Sequence, residues 1–236
     1  MGSRTQNENG SRSAAAFTVK ANPLALALLV VLLGSFSARA ATPRDCPASK
    51  PEVTLSIRLP EPTIDNSLPQ PRLQELSGKA YHNGHTLGLY RMELQYGIEA
   101  VVMAQQSSAG LCQWIERVTV RMVLSPRQIY VVRDRRPGTC PYEAVLEHER
   151  KHKAIDDEVF RADAPRLQRA LEAAIAHLPP ERPVPAADAV DAKTRLVAPL
   201  KQVFQAAVDA VMAERNARQE HLDNPGEYKR VGAACG

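Results

Sequence analysis

An excess of charge of either sign is almost absent from this chain once its first forty residues are set aside. The 236 residues carry 30 Lys and Arg against 26 Asp and Glu, a formal excess of +4. Arg4, Arg12, Lys20 and Arg39 face only Glu8 in residues 1–40, which leaves 26 basic and 25 acidic side chains in the rest. Phosphate binding needs clustered, uncompensated Lys and Arg, so a nucleic-acid partner is set aside. Long apolar runs are missing too, which excludes a multi-spanning membrane protein. Glycine and proline number 12 and 18 and follow no period, so the chain is neither collagen-like nor of low complexity, and no internal repeat is evident. Cysteine is limited to four residues with no C-x-x-C spacing, which argues against a metal knuckle or a redox pair.

The first forty residues read as an export leader. A basic region ends at Lys20, Leu24 to Leu33 is unbroken and apolar, and Ala38-Arg39-Ala40 puts small residues where a signal peptidase cuts. Even Pro23 to Phe36 falls short of the roughly 20 residues needed to span a bilayer, so no stable membrane span is expected after cleavage. No lipobox precedes Cys46. The expectation is a signal peptide over 1–40 and a periplasmic or secreted mature chain, 41–236, folded as one domain.

Export makes Cys46, Cys112, Cys140 and Cys235 candidates for two disulfides. Of three connectivities the expected one is Cys112–Cys140, tying neighbouring segments, with Cys46–Cys235 tying the two ends.

Organisation changes near Cys140. Residues 50–135 are β-rich: Val53 to Ile57 alternates, Tyr96 to Met103 is apolar, and Arg117 to Val123 has a period of two. Gln128 to Val132 follows Ser125-Pro126, so the last two segments are expected to form a hairpin. Pro60 to Pro71 and Gly78 to Gly88 read as loops. Residues 141–222 read as helical, with Pro141 at a helix start, a first helix from Tyr142 to about Asp163 and a second after Pro165. Pro179 to Pro185 reads as a linker, and a long helix follows to about Leu222, with Pro199 either kinking it or marking its start. Leu196, Leu200, Phe204, Val208 and Val211 fall on one face of it, as core residues do. The fold class expected is α+β, a small antiparallel sheet followed by helices.

Chemistry is concentrated in the first helix. His148-Glu149-Arg150-Lys151-His152 is H-E-x-x-H, which places two imidazoles four residues apart on one helical face, close enough to hold one zinc ion, with a glutamate beside them as general base. At roughly 100° per residue these three share the apolar stripe of Tyr142, Val145, Ile155, Val159 and Phe160. Ionisable groups aimed at the interior lose several kcal/mol of hydration unless compensated, and a divalent cation compensates all three. Asp156 lies on the same face one turn after His152, placed to orient that imidazole or to pair with Lys153.

A catalytic zinc takes three protein ligands and an open position, and the motif supplies two. Glu172, twenty residues after His152, has the thermolysin-type spacing. The stretch Glu220 to Tyr228 is the other source, including His221 and Glu227. His82 and His85 read as loop residues. No Gly-x-x-His follows His152, so the metzincin pattern is absent.

The run from Cys140 through Glu147-His148-Glu149-Arg150-Lys151 to His152, preceded by a β-rich region with Trp114 and followed by a long helical pair, resembles a family of secreted bacterial proteins described as zinc-dependent proteases. The resemblance covers about Gly88 to Cys235, with the H-E-x-x-H core its specific part. That family has a downstream aspartate followed closely by Thr-x-His-Gly. The comparable place here is Asp223 to Tyr228, where Glu227 stands near the family's histidine. The resemblance therefore implies a zincin-like fold, one Zn2+ per chain on His148, His152 and Glu227, with Glu227 ahead of Glu172 and His221, and Glu149 as catalytic base. The expected activity is zinc-dependent hydrolysis of peptide bonds in a peptide or protein substrate, with an edge strand accepting the extended peptide and Tyr228 read first as a packing aromatic and second as a donor to the oxyanion. The competing reading is a periplasmic binding or assembly protein whose zinc is structural or absent.

Overall fold

The computed structural model describes residues 46, 49–78, 86–178 and 182–235. The expected leader, together with His82 and His85, lies outside the described residues. Strand β1 (Glu52–Arg58) and the short β2 (Thr63–Asp65) precede helix α1 (Gln70–Ser77). The hairpin β3 (Gly88–Ser107) and β4 (Gly110–Val131) leads into helix α2 (Cys140–Ala176), then α3 (Ala189–Leu222) and α4 (Pro225–Ala233).

This is an α+β arrangement, but the sheet is not the antiparallel one expected. β4 lies at its centre; β1 and β2 run parallel to β4 along one side, and β3 pairs antiparallel along the other. The hairpin expected around Ser125-Pro126 is absent, because the two segments are one strand of 22 residues. Proline has no N–H to give a ladder, and the strand continues past it through a bulge. Met92 pairs with Arg127 and Leu94 with Leu124, so Ser125 and Pro126 together oppose Glu93. On the other side, β1 ends at the partner of Val123 and β2 starts at the partner of Gln128, so no strand there needs the missing donor. Pro60 to Pro71, expected as loop, contains β2 and the start of α1.

The long strand also redirects the disulfides. Cys112 lies near the start of β4 and Cys140 beyond its far end; at about 3.3 Å per residue the intervening strand spans roughly 60 Å. The bridges are Cys46–Cys112 and Cys140–Cys235, in place of the expected Cys112–Cys140 and Cys46–Cys235. The first ties the N-terminal segment to the start of β4, and the second ties the end of α4 to the start of α2. Both are compatible with an oxidising compartment. Beside the first bridge, Val184 exchanges backbone hydrogen bonds with Leu111 at 2.8 and 3.0 Å. Gly110 permits this approach: its φ is 135°, and a Cβ there would stand 2.6 Å from the Val184 carbonyl oxygen.

Helices α2 and α3 pack antiparallel on one face of the sheet. Val159, Phe160, Leu167 and Leu171 of α2 join Leu200, Phe204, Val208 and Val211 of α3 over Ile98, Val118, Val120, Met122 and Leu124. Phe204 meets Tyr96 edge to face at 5.6 Å. By length and composition the stretch Ala186–Leu222 could cross a membrane, yet its apolar stripe is used in this core. α2 does not break at Pro165. The carbonyl this proline leaves without a partner belongs to Arg161, on the exposed side, while Asp163, Leu167 and Leu171 anchor the flanking turns inward. α3 likewise starts ten residues before Pro199 and passes through it. Antiparallel packing returns the C-terminal end of α3 to the first half of α2, where the H-E-x-x-H residues lie.

Candidate metal centre

His148, Glu149 and His152 are 5, 4 and 9% exposed on the inward face of α2. Three atoms converge there: His148 Nε2 and His152 Nε2 lie 3.2 Å apart, and Asp223 Oδ1 lies 3.4 Å from the first and 3.1 Å from the second. Asp223 terminates α3 as its C-cap, so a helix C-terminus adds its partial negative charge nearby. Tetrahedral zinc with bonds of about 2.0–2.1 Å holds its ligand atoms about 3.3 Å apart. The observed separations match that requirement.

The remaining ring nitrogens show which atoms carry protons. Gln219 Nε2 donates to the His152 carbonyl at 3.0 Å and to Asp156 Oδ1 at 2.7 Å, so its Oε1 is the acceptor for the Nδ1–H of His152. His148 Nδ1 faces Glu227 Oε1 at 3.4 Å, and a carboxylate only accepts. With each Nδ1 facing an acceptor, the two rings turn their Nε2 atoms toward each other and toward Asp223. Three acceptors facing one point repel unless a cation stands between them.

Glu227, expected as the third ligand, is thus placed on the far edge of His148. Its carboxylate takes Nε and Nη2 of Arg230 and Nζ of Lys151, each at 2.8 Å, and these cations hold it well below the usual carboxylate range. The segment turns there because Asn224 caps α4 by accepting from the Glu227 N–H, with Pro225 at the first helical position. That puts Asp223 at the end of one helix and Glu227 in the first turn of the next. Glu172 is exposed and bonded to Gln168, about 30 Å along α2 from His152 at 1.5 Å per residue. His221 is exposed on α3. Asp156 does not touch His152 and does not pair with Lys153; it acts through Gln219, while Lys153 binds Asp157 at 2.9 Å and Glu61 at 3.0 Å.

Behind Asp156 lies a buried network that the sequence reading missed. Asp156 accepts from Arg215 Nε at 2.8 Å and from the Tyr90 hydroxyl at 2.9 Å. Tyr90 accepts from Arg127 Nε at 2.8 Å, and Arg127 binds Asp157 at 2.7 Å. Burial and the neighbouring Asp156 push the Tyr90 hydroxyl well above the ordinary phenol range, so it stays a donor. The members come from α2, α3, β3 and β4, and only the fold brings them together.

Glu149 is placed by β3. A Cβ on Gly88 would overlap Glu149 Oε1 and stand 2.6 Å from Val145 Cγ1, so only glycine lets the first residue of β3 lie on this carboxylate. A cleft of about 670 Å³ opens there. It is walled by His148, Glu149, His152 and Asp223 on one side, by residues 86–92 on another and by Tyr228 and Val231 of α4. The Tyr228 ring stands 5.8 Å from that of His148. Set against protein-family models, curated proteins and solved structures, the chain matches none.

Proposed function

We propose that this protein is an exported zinc-dependent peptidase that holds one Zn2+ per chain on His148, His152 and Asp223 and uses Glu149 as its general base. The observation that carries this reading is the convergence of two imidazole lone pairs and a carboxylate oxygen, at zinc-ligand spacing, beside a buried glutamate in an open cleft. A zinc ion held there acts as a Lewis acid toward water and a peptide carbonyl. Glu149 takes the proton of the attacking water at its carboxylate and passes it to the leaving amine. The Tyr228 hydroxyl, at the cleft wall, hydrogen-bonds the Asp223 carboxylate and so helps to hold that ligand. Among the described residues β3 is paired only with β4, so its outer edge beside the H-E-x-x-H helix accepts an extended peptide as a further strand, in the zincin manner. The disulfides and the leader-like N-terminus support a periplasmic or secreted location.

Metal analysis of the purified protein is expected to give one zinc per chain. His148→Ala and Asp223→Ala lose it, Glu227→Ala keeps it, and Glu149→Gln keeps it while peptide hydrolysis falls by about 10²–10⁴-fold. Absence of zinc in the wild type overturns the reading. Zinc without hydrolysis in the wild type instead favours a metal-holding binding or assembly protein.

A further inference from the structure

We infer that the cleft takes a peptide bearing a carboxylate, received by Arg135; this rests on the peptidase reading of the same cleft. The charges along its walls are uneven. Among the described residues the acids lining it are Glu149 and Asp223, both at the candidate metal centre, whereas Arg91, Arg135 and Arg215 also line it. Arg215 is matched by Asp156 behind the wall. Neither Arg91 nor Arg135 has an acidic partner among the described residues. With an ion on Asp223 beside Glu149, these two arginines are the cleft's unpaired charges among the described residues.

Arg135 is the better placed of the two. Arg91 is exposed on β3, but Arg135 is half-buried, in a turn fastened at several points. Asn66 Nδ2 lies 3.0, 2.9 and 3.1 Å from the carbonyls of Val131, Val132 and Arg135, and the Arg135 N–H donates to Val132 at 3.0 Å. A guanidinium on a fixed base binds a carboxylate through two parallel N–H···O bonds with little ordering cost. Leu76, Leu89, Pro141 and Val145 line the same cleft, so the ligand has apolar side chains next to its acid. Two sources supply that acid: an Asp or Glu side chain, or the free C-terminus of the peptide.

The test captures a randomised hexapeptide library on immobilised, zinc-loaded Glu149→Gln protein and reads the bound peptides by mass spectrometry. Libraries with free and with amidated C-termini are used. Carboxylate-bearing peptides are expected to be enriched about tenfold over amide-matched ones. Adding Arg135→Gln erases the enrichment with zinc content unchanged, and Arg135→Lys restores part of it. Enrichment of Asp and Glu in the amidated library assigns the side chain; enrichment only in the free library assigns the C-terminus. Equal capture of acids and amides, or a preference that survives Arg135→Gln, overturns the inference. Failure of the wild type to cleave the same libraries sinks the peptidase reading alone, because capture by the inactive variant still decides the role of Arg135.

Discussion

The side-chain amide of Gln219 joins His152 to Asp156: it accepts from the imidazole Nδ1 and donates to the Asp156 carboxylate at 2.7 Å. Asp156 has three donors and no exposure, so the amide cannot turn over, and the imidazole is held with its Nε2 lone pair toward Asp223. Gln219→Leu removes the acceptor while keeping the volume. Zinc affinity, measured by chelator competition, is expected to fall about 10–100-fold, the usual cost of losing the partner that orients a ligand. Unchanged affinity would show that packing alone holds the ring.

Gly88 and Glu149 give a second prediction. Gly88→Ala places a methyl where the Glu149 carboxylate now lies, and it leaves His148, His152 and Asp223 alone. Zinc content should be preserved while kcat/KM for peptide hydrolysis drops about a hundredfold or more, through displacement of the base. A variant that retains full turnover would place the proton acceptor elsewhere.

The H-E-x-x-H helix was legible because its pattern is local: a 3.6-residue period puts His148, Glu149 and His152 with Val145 and Val159 whatever the rest of the chain does. Partner choice over long range was not legible. Ser125-Pro126 carries every local mark of a turn, and only the bulge opposite Glu93 and the gap between β1 and β2 show why a strand tolerates it. Reading a turn there hid the length of β4, which carries Cys112 and Cys140 far apart and rules out the bridge expected between them. Asp223 was not among the candidate ligands, though it lies only four residues before Glu227. Asn224-Pro225 followed by Glu227 is a helix start that can be read from sequence, and it separates the two carboxylates onto different helices.

The Arg127–Asp157 pair sets a pH dependence of stability. The Arg127 side chain is fully buried and lies 2.7 Å from Asp157. Burial pushes the Asp157 carboxyl up, but hydrogen bonds from Lys153 and Arg127 outweigh it and hold it below its ordinary value. A carboxyl depressed in the folded state stabilises fully above its unfolded pKa of about 3.9, and this contribution is lost as pH falls through the lower folded value. Asp157→Asn leaves Arg127 buried without its counter-charge, at an expected cost of about 3–5 kcal/mol at pH 7. In urea unfolding, the gap between wild type and variant should narrow steadily below about pH 4. A gap that does not change with pH would remove the ion pair as its cause.

Helix α4 has no buried residue, and its far end is tied to α2 by Cys140–Cys235. Cutting that bridge, with dithiothreitol or by Cys235→Ser, should free α4. Trypsin should then cleave after Lys229 and Arg230 at least about tenfold faster, since protease attack follows the population of the opened segment. Digestion at the same rate with and without the bridge would mean that Val231, Glu227 and Tyr228 hold the helix unaided.

His152 and Asp223 stand 71 positions apart along the chain, so no short stretch of unfolded polypeptide assembles the proposed ligand trio. An ion that binds only the folded form shifts the folding equilibrium toward it, by about 2.7 kcal/mol when its free concentration is one hundred times the dissociation constant. The melting temperature should therefore climb with buffered free zinc and drop under a chelator, which makes the thermal midpoint a gauge of how much metal the surroundings supply.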